Sequence, residues 1–194
     1  MNKKTVILTI VGSLLTAFAA FAAEWSVDAS HSEVGFTVKH MVISKVNGKF
    51  TDYAGEIALD PENVEAAVIK GAVQVNSIDT GNQNRDNHLR GSDFFDAENY
   101  PQILFESTKI RKMENGFVAV GKLTMRGVTK EIEIPFTLVG PINDPWGGTR
   151  IALEGSTTIN RLDWGLAWDK VMENGGLVVS HDVVIRLSAE LIKK

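Results

Sequence analysis

The chain contains no cysteine. This absence excludes disulfide staples, thiol nucleophiles, thiolate metal sites and a lipid-modified N-terminal cysteine. Metal-ligand spacings are missing too. His31, His40, His88 and His181 occur without an H-x-H or H-E-x-x-H pairing, so no metal is expected. Each reads as a hydrogen-bonded histidine near a strand end. Neither sign of charge is in large excess: 20 Lys and Arg face 24 Asp and Glu, a formal charge of −4. That mildly acidic balance argues against nucleic acid, or an anionic membrane face, as the main partner. No G-x-S-x-G elbow, internal repeat, low-complexity tract or linker is found.

What is present begins with a secretory signal over Met1 to Ala22. Lys3 and Lys4 form its positive end, Thr5 to Phe18 an apolar run, and Ala20-Phe21-Ala22 an A-x-A cleavage site. The apolar run lies near the lower length limit of a membrane span, and the cleavage motif favours removal over anchoring. Cleavage takes two lysines with it and leaves one domain, residues 23–194, with a charge of −6. A signal without cysteines fits a bacterial periplasmic protein with no stable membrane anchor and no staples. A homodimer is left open.

The domain reads as strands. Val34, Phe36, Val38 and His40 share one face, with Gly35, Thr37 and Lys39 on the other. In Lys45 to Leu59 the apolar parity slips once, from Val46, Gly48 and Phe50 to Tyr53, Gly55, Ile57 and Leu59. Such a slip predicts a bulge or sharp bend at Thr51-Asp52. Asn115-Gly116 and Arg126-Gly127 mark tight hairpins in the second half. About eight antiparallel strands follow, with a short helix at Asn84 to Arg90 ended by Gly91. The fold class is all-β, a barrel or sandwich by pattern, and eight strands is the barrel size whose interior holds one small ligand. Glycines on the inner faces (Gly48, Gly71, Gly121) leave room where a filled core needs bulk.

Two stretches interrupt the alternation. Asn76 to Ser107 is polar and turn-rich, then aromatic at Phe94, Phe95, Tyr100 and Phe105, residues that serve as core plug or pocket wall. Its Arg85, His88 and Arg90 suit either an anionic head group or ion pairs with Asp86, Asp93 or Asp96. In Leu162 to Gly176, Trp164, Trp168 and Met172 are spaced by four, as on one face of a helical lid. Asp28-Ala29-Ser30-His31-Ser32 carries the letters of a catalytic triad. Neighbours on a strand point to opposite faces, so local turn hydrogen bonds are the expected role.

Four segments carry a family resemblance: DASHSEVGFTVKHMVISKVNGKF (Asp28 to Phe50), NSIDTGNQNRDNHLRGSDFFDAENYPQILFEST (Asn76 to Thr108), GKLTMRGVTKEI (Gly121 to Ile132) and INRLDWG (Ile159 to Gly165). In this order they resemble the YceI-like proteins of bacteria; the insert after Gly165 matches least well. The resemblance implies an eight-stranded, lipocalin-like antiparallel barrel that is exported to the periplasm and binds a polyisoprenoid or similar long-chain amphiphile. It implies no catalytic residue, and no cofactor beyond a bound lipid.

The expected cavity lining is Phe36, Val38, His40, Phe50, Phe94, Phe95, Phe105, Leu123, Phe136, Trp164 and Trp168. The expected head-group residues at the mouth are Arg85, His88, Arg90 and His181. Two other readings stay open: an enzyme on a lipidic substrate using His31, His88 or His181 as acid or base, and a filled-barrel envelope stress protein.

Overall fold

The structure, a computed structural model, describes residues 25–173 and 175–194. The expected signal segment lies outside the described residues. The strands are β1 (Trp25–Val27), β2 (Glu33–His40), β3 (Ser44–Phe50), β4 (Tyr53–Ala58), β5 (Val68–Gln74), β6 (Ile78–Asp79), β7 (Gln102–Met113), β8 (Gly116–Met125), β9 (Val128–Asn143), β10 (Thr149–Asn160) and β11 (Val179–Lys193). One α-helix, α1 (Gln83–Arg90), sits between β6 and β7.

These strands form a closed eight-stranded antiparallel barrel, because two pairs of them act as single staves. β1 and β2 lie end to end along β11, separated by a 3-10 turn at Ala29–His31. β3 and β4 form one bent stave broken at Thr51 and Asp52, where the apolar parity slips. Pairing of β2 with β3 and of β1 with β4 closes the ring with β5, β7, β8, β9, β10 and β11. A break in each of two neighbouring staves relieves the curvature that closure imposes.

The hairpins follow local chemistry. Arg126 (φ 49°) and Gly127 (φ 74°) form the two-residue turn between β8 and β9, the left-handed pair that matches strand twist. Between β7 and β8 the loop residues are Glu114 and Asn115, one position earlier than the Asn-Gly pair suggests. Gly116 opens β8 at φ 100°, where a Cβ would fall 2.5 Å from the Phe136 carbonyl oxygen.

One end of the barrel is solid. Trp25, Ile57, Leu59, Val64, Ile110, Ile151 and Leu191 pack together there, and the Trp25 indole N–H donates to the Leu59 carbonyl at 2.7 Å. Leu191 is 0% exposed. Leu191→Ala is expected to cost about 3 kcal/mol of unfolding free energy, the transfer of a buried leucine plus a residual cavity. Urea denaturation checks this.

The opposite end is covered by the two irregular stretches. In the first, Asn82 caps α1 by accepting from the Arg85 N–H at 3.1 Å, and Gly91 follows its last turn. Buried Asp86 accepts from the Thr80 N–H at 3.0 Å and the Thr80 hydroxyl at 2.5 Å. Arg90 reaches back to the carbonyls of Asn76 (3.0 Å) and Ile78 (2.8 Å). The second stretch is not the helical lid its Trp-Trp-Met spacing predicts. After a 3-10 turn at Arg161–Trp164, Gly165 adopts φ 75° and the helix stops. Arg126 joins the two covers, donating to the Ser92 carbonyl at 2.8 Å and to the Gly165 carbonyl.

Candidate ligand cavity

Between the solid end and the two covers lies an apolar cavity of about 430 Å³, within the size range of small-molecule sites. It is lined along β2 from Val34 to His40, six residue steps, so it runs for about 20 Å along the barrel. The inward side chains of β2 and β11 show its presence directly. Val34, Phe36, Val38, Val183, Ile185 and Leu187 face the barrel axis, and all are only partly buried because they border open space.

The inner glycines divide into two kinds. A Cβ on Gly48 would fall 2.2 Å from the Phe36 ring, and one on Gly121 would fall 2.6 Å from the Phe105 ring. These two positions are therefore covered by aromatic rings and do not enlarge the cavity, contrary to expectation. Gly71 is different: a Cβ there meets nothing within 4 Å.

Of the expected lining, Phe36, Val38, His40, Phe50, Phe94, Phe95, Phe105, Leu123, Phe136 and Trp168 border the cavity. Trp164 does not; it is buried behind the wall, and its indole N–H donates to the Leu123 carbonyl at 3.1 Å. Tyr100 also lies away from the cavity, against Gly127. Phe94 and Trp168 lie with ring centroids 5.5 Å apart, and both meet the His88 ring edge-on.

The four mouth residues separate as well. Arg85 and His88 border the cavity. Arg85 donates from Nε to the Thr80 hydroxyl and from Nη2 to the Thr80 carbonyl, both at 2.8 Å. Among the described residues its Nη1 takes no hydrogen bond, which leaves one donor for a guest. His88 Nε2 lies 2.8 Å from the Asp93 carboxylate. Arg90 and His181 are not at the cavity. Arg90 is used up on the carbonyls of Asn76 and Ile78, and His181 Nε2 lies 2.8 Å from Asp169.

Arg161 borders the cavity without being singled out by any local pattern. It is 3% exposed and donates to the carbonyls of Ser180 (3.0 Å), Val179 (3.4 Å) and Leu166, and to the Asp169 carboxylate at 2.5 Å. Burial raises the Asp169 pKa, but hydrogen bonds from His181 and Arg161 outweigh it and hold the carboxyl below its ordinary value.

The residues with triad letters meet, but not as a triad. In the 3-10 turn the Ser30 hydroxyl donates to Asp28 at 2.5 Å, while His31 Nδ1 lies 3.0 Å from Asp28 and 3.2 Å from Ser30. Serine and aspartate crowd one ring nitrogen, whereas a triad needs them on opposite nitrogens. Asp28, His31 and Glu190 bring three ligand-type atoms within 4.8 Å of one another, and Arg150 already supplies the cation, 2.8 Å from Asp28 and 2.5 Å from Glu190. Hydrogen bonds from Ser30, Arg150 and His31 hold the Asp28 carboxyl far below its ordinary 3.8. The Asp28 partner raises the His31 pKa above its ordinary 6.5. The His31 contribution to stability is therefore complete below pH 6.5 and disappears as pH rises through the raised value. The Asp28 contribution is complete above pH 3.8 and disappears as pH falls through the lowered value. His31→Gln is expected to lower stability at pH 5.5 and to leave it unchanged at pH 9, by urea denaturation at each pH.

Comparison with known proteins bears on the whole barrel. Residues 25–191 match the YceI-like domain family. A UPF0312 protein of Pseudomonas aeruginosa is 38% identical over 197 residues, covering 100% of both chains. A UPF0312 protein of Yersinia pestis is 35% identical over 87% of this chain and 89% of its own. Among solved structures, the Campylobacter jejuni YCEI protein superposes with a TM-score of 0.70 at 32% identity, covering 86% of this chain and 96% of its own. Burkholderia cenocepacia BcnA, at 23% identity, shares the fold with a TM-score of 0.74 over 84% of this chain and 98% of its own. A polyisoprenoid binding domain from Saccharophagus degradans, at 16% identity, shares it with a TM-score of 0.62 over 89% of this chain and 99% of its own. With the family matched along nearly the full described length and the barrel shared with a solved YCEI protein, the chain belongs to the YceI-like domain family.

Proposed function

We propose that this protein is a non-catalytic carrier that holds a long-chain amphiphile, a polyisoprenoid or related lipid, inside the barrel in the bacterial periplasm. The observation that carries the reading is the cavity itself, which extends along the barrel and is walled mainly by aliphatic and aromatic side chains. The fold shared with a polyisoprenoid binding domain supports the ligand class, and the signal-like N-terminus supports export. A guest of about fifteen carbons gains at most about 12 kcal/mol from burying its tail, at about 0.8 kcal/mol per methylene. Lost rigid-body freedom and ordering offset a large part of that sum. The tail therefore supplies affinity but little selectivity. Orientation falls to the mouth, where Arg85 Nη1 and the His88 ring meet a polar or anionic head group.

Native mass spectrometry of the protein purified from periplasm, followed by lipid extraction, tests the reading. A co-purifying long-chain amphiphile is expected, retained in Arg85→Gln but bound more weakly. Protein that is ligand-free and fails to take up isoprenoid or fatty amphiphiles would overturn it.

A further inference from the structure

The turn between β2 and β3 breaks two rules for a soluble hairpin. Its residues Met41, Val42 and Ile43 are 41%, 66% and 88% exposed, three large apolar side chains in succession. Met41 and Val42 also have positive φ, 51° and 66°. That region is unfavourable for a β-branched residue, and glycine or asparagine occupies it with little strain. The tip thus accepts backbone strain to present apolar groups to the outside.

The stem of the same hairpin adds charge. Lys39 and Lys45 stand directly opposite each other, a like-charge pair that destabilises an isolated hairpin in water. Both are exposed, and among the described residues the lysines in ion pairs are Lys70 and Lys130 instead. The neighbouring segment of the second cover contributes more of the same kind. The Met41 N–H donates to the Val178 carbonyl at 2.9 Å and the Val178 N–H to the Lys170 carbonyl at 2.9 Å, which brings exposed Lys170 and Val171 alongside. This rim adjoins the cavity, since His40 and Val178 line it.

From this we infer that the β2–β3 tip docks the protein reversibly on an anionic lipid bilayer, with Met41, Val42 and Ile43 seated at the headgroup boundary and Lys39, Lys45 and Lys170 against anionic headgroups. An apolar tip ringed by cations is the pattern that partitions into the interface. Its place beside the cavity mouth lets a greasy tail pass between bilayer and barrel without crossing water. The purpose of the tip rests on the carrier reading, but its binding does not. The charge of −6 left after cleavage and Glu173 on the same cover oppose the attraction, so binding is shallow and salt-sensitive.

Co-sedimentation with vesicles of phosphatidylcholine, with and without phosphatidylglycerol, tests the inference. The mature chain is expected to bind the mixed vesicles and to be released by salt. Val42→Asp combined with Ile43→Asp weakens binding to both vesicle types by about tenfold or more. Lys39→Ser combined with Lys45→Ser weakens binding about tenfold on the anionic vesicles alone. A variant with a blocked cavity, Gly71→Phe, still sediments, so failure of the carrier reading leaves this result standing. Ile43→Trp gives a second readout that does not depend on the aspartate variant folding: its emission shifts to shorter wavelength on anionic vesicles. No sedimentation and no emission shift, or tip variants that bind like the parent, would overturn the inference. So would a dimer in solution that the tip variants dissociate, because a second copy would then occupy the patch.

Discussion

Gly71→Phe is expected to abolish most long-chain binding while leaving the barrel folded. Gly71 sits on β5 between Ile69 and Val73, both of which line the cavity, and pairs with Gly55 on one side and Phe105 on the other. A Cβ at this position meets no atom within 4 Å, and its φ lies outside the left-handed region. A ring placed there occupies space that a guest's methylenes would fill. Displacing about four of them removes about 3 kcal/mol of transfer free energy, an affinity loss of about a hundredfold. Calorimetric titration with a long-chain amphiphile measures the loss, and a thermal melt checks that the fold persists. Gly121→Ala is the informative contrast. Its added methyl would collide with the Phe105 ring at 2.6 Å and the Glu106 carbonyl at 2.5 Å, so stability falls by about 1–3 kcal/mol through overpacking.

Arg161→Leu is expected to produce the largest loss of stability at the mouth end. The guanidinium ties the second cover to the start of β11 through Ser180 and Val179, and to its own loop through Leu166 and Asp169. Leucine fills part of the volume but takes the guanidinium donor away from three carbonyls and leaves Asp169 with His181 as its ion-pair partner. Arg161 is buried while Asp169 reaches solvent, so the main cost is the loss of a buried donor to the backbone carbonyls, about 1–3 kcal/mol. Asp169 also loses one of the two hydrogen bonds that lower its pKa, so that pKa rises. Urea denaturation measures the loss, and hydrogen exchange is expected to accelerate first in the cover between Leu162 and Val178. Unchanged stability in Arg161→Leu would mean that the cover is held by packing of Trp164 and Leu166 instead.

The staves were legible because alternation is a local property. Val34, Phe36 and Val38 face one way on β2 by spacing alone, and the parity slip between Phe50 and Tyr53 marks the bend before any pairing is known. The helix α1 was legible from its turn formers and from Gly91 at its end. Features that depend on partners far along the chain were not. The four-residue spacing of Trp164, Trp168 and Met172 suits a helix, yet Arg161 bonds the Leu166 carbonyl and Gly165 turns left-handed, so the chain leaves the helix after one turn. Gly48 and Gly121 look like open space in one dimension, and only the cross-strand rings of Phe36 and Phe105 show them to be covered. Arg85 and Arg90 are indistinguishable by composition. The first borders the cavity and the second binds the backbone carbonyls of Asn76 and Ile78, a difference set by which face of α1 meets them.

The most direct test of a hollow apolar barrel is calorimetric titration with one head group on a series of increasing chain lengths. Filling a tube predicts that affinity climbs with each methylene, by at most about fourfold per step, and then levels off once the chain reaches the solid end near Trp25 and Leu191. Affinity that does not change with chain length would contradict the account, because the tail would then lie outside the barrel.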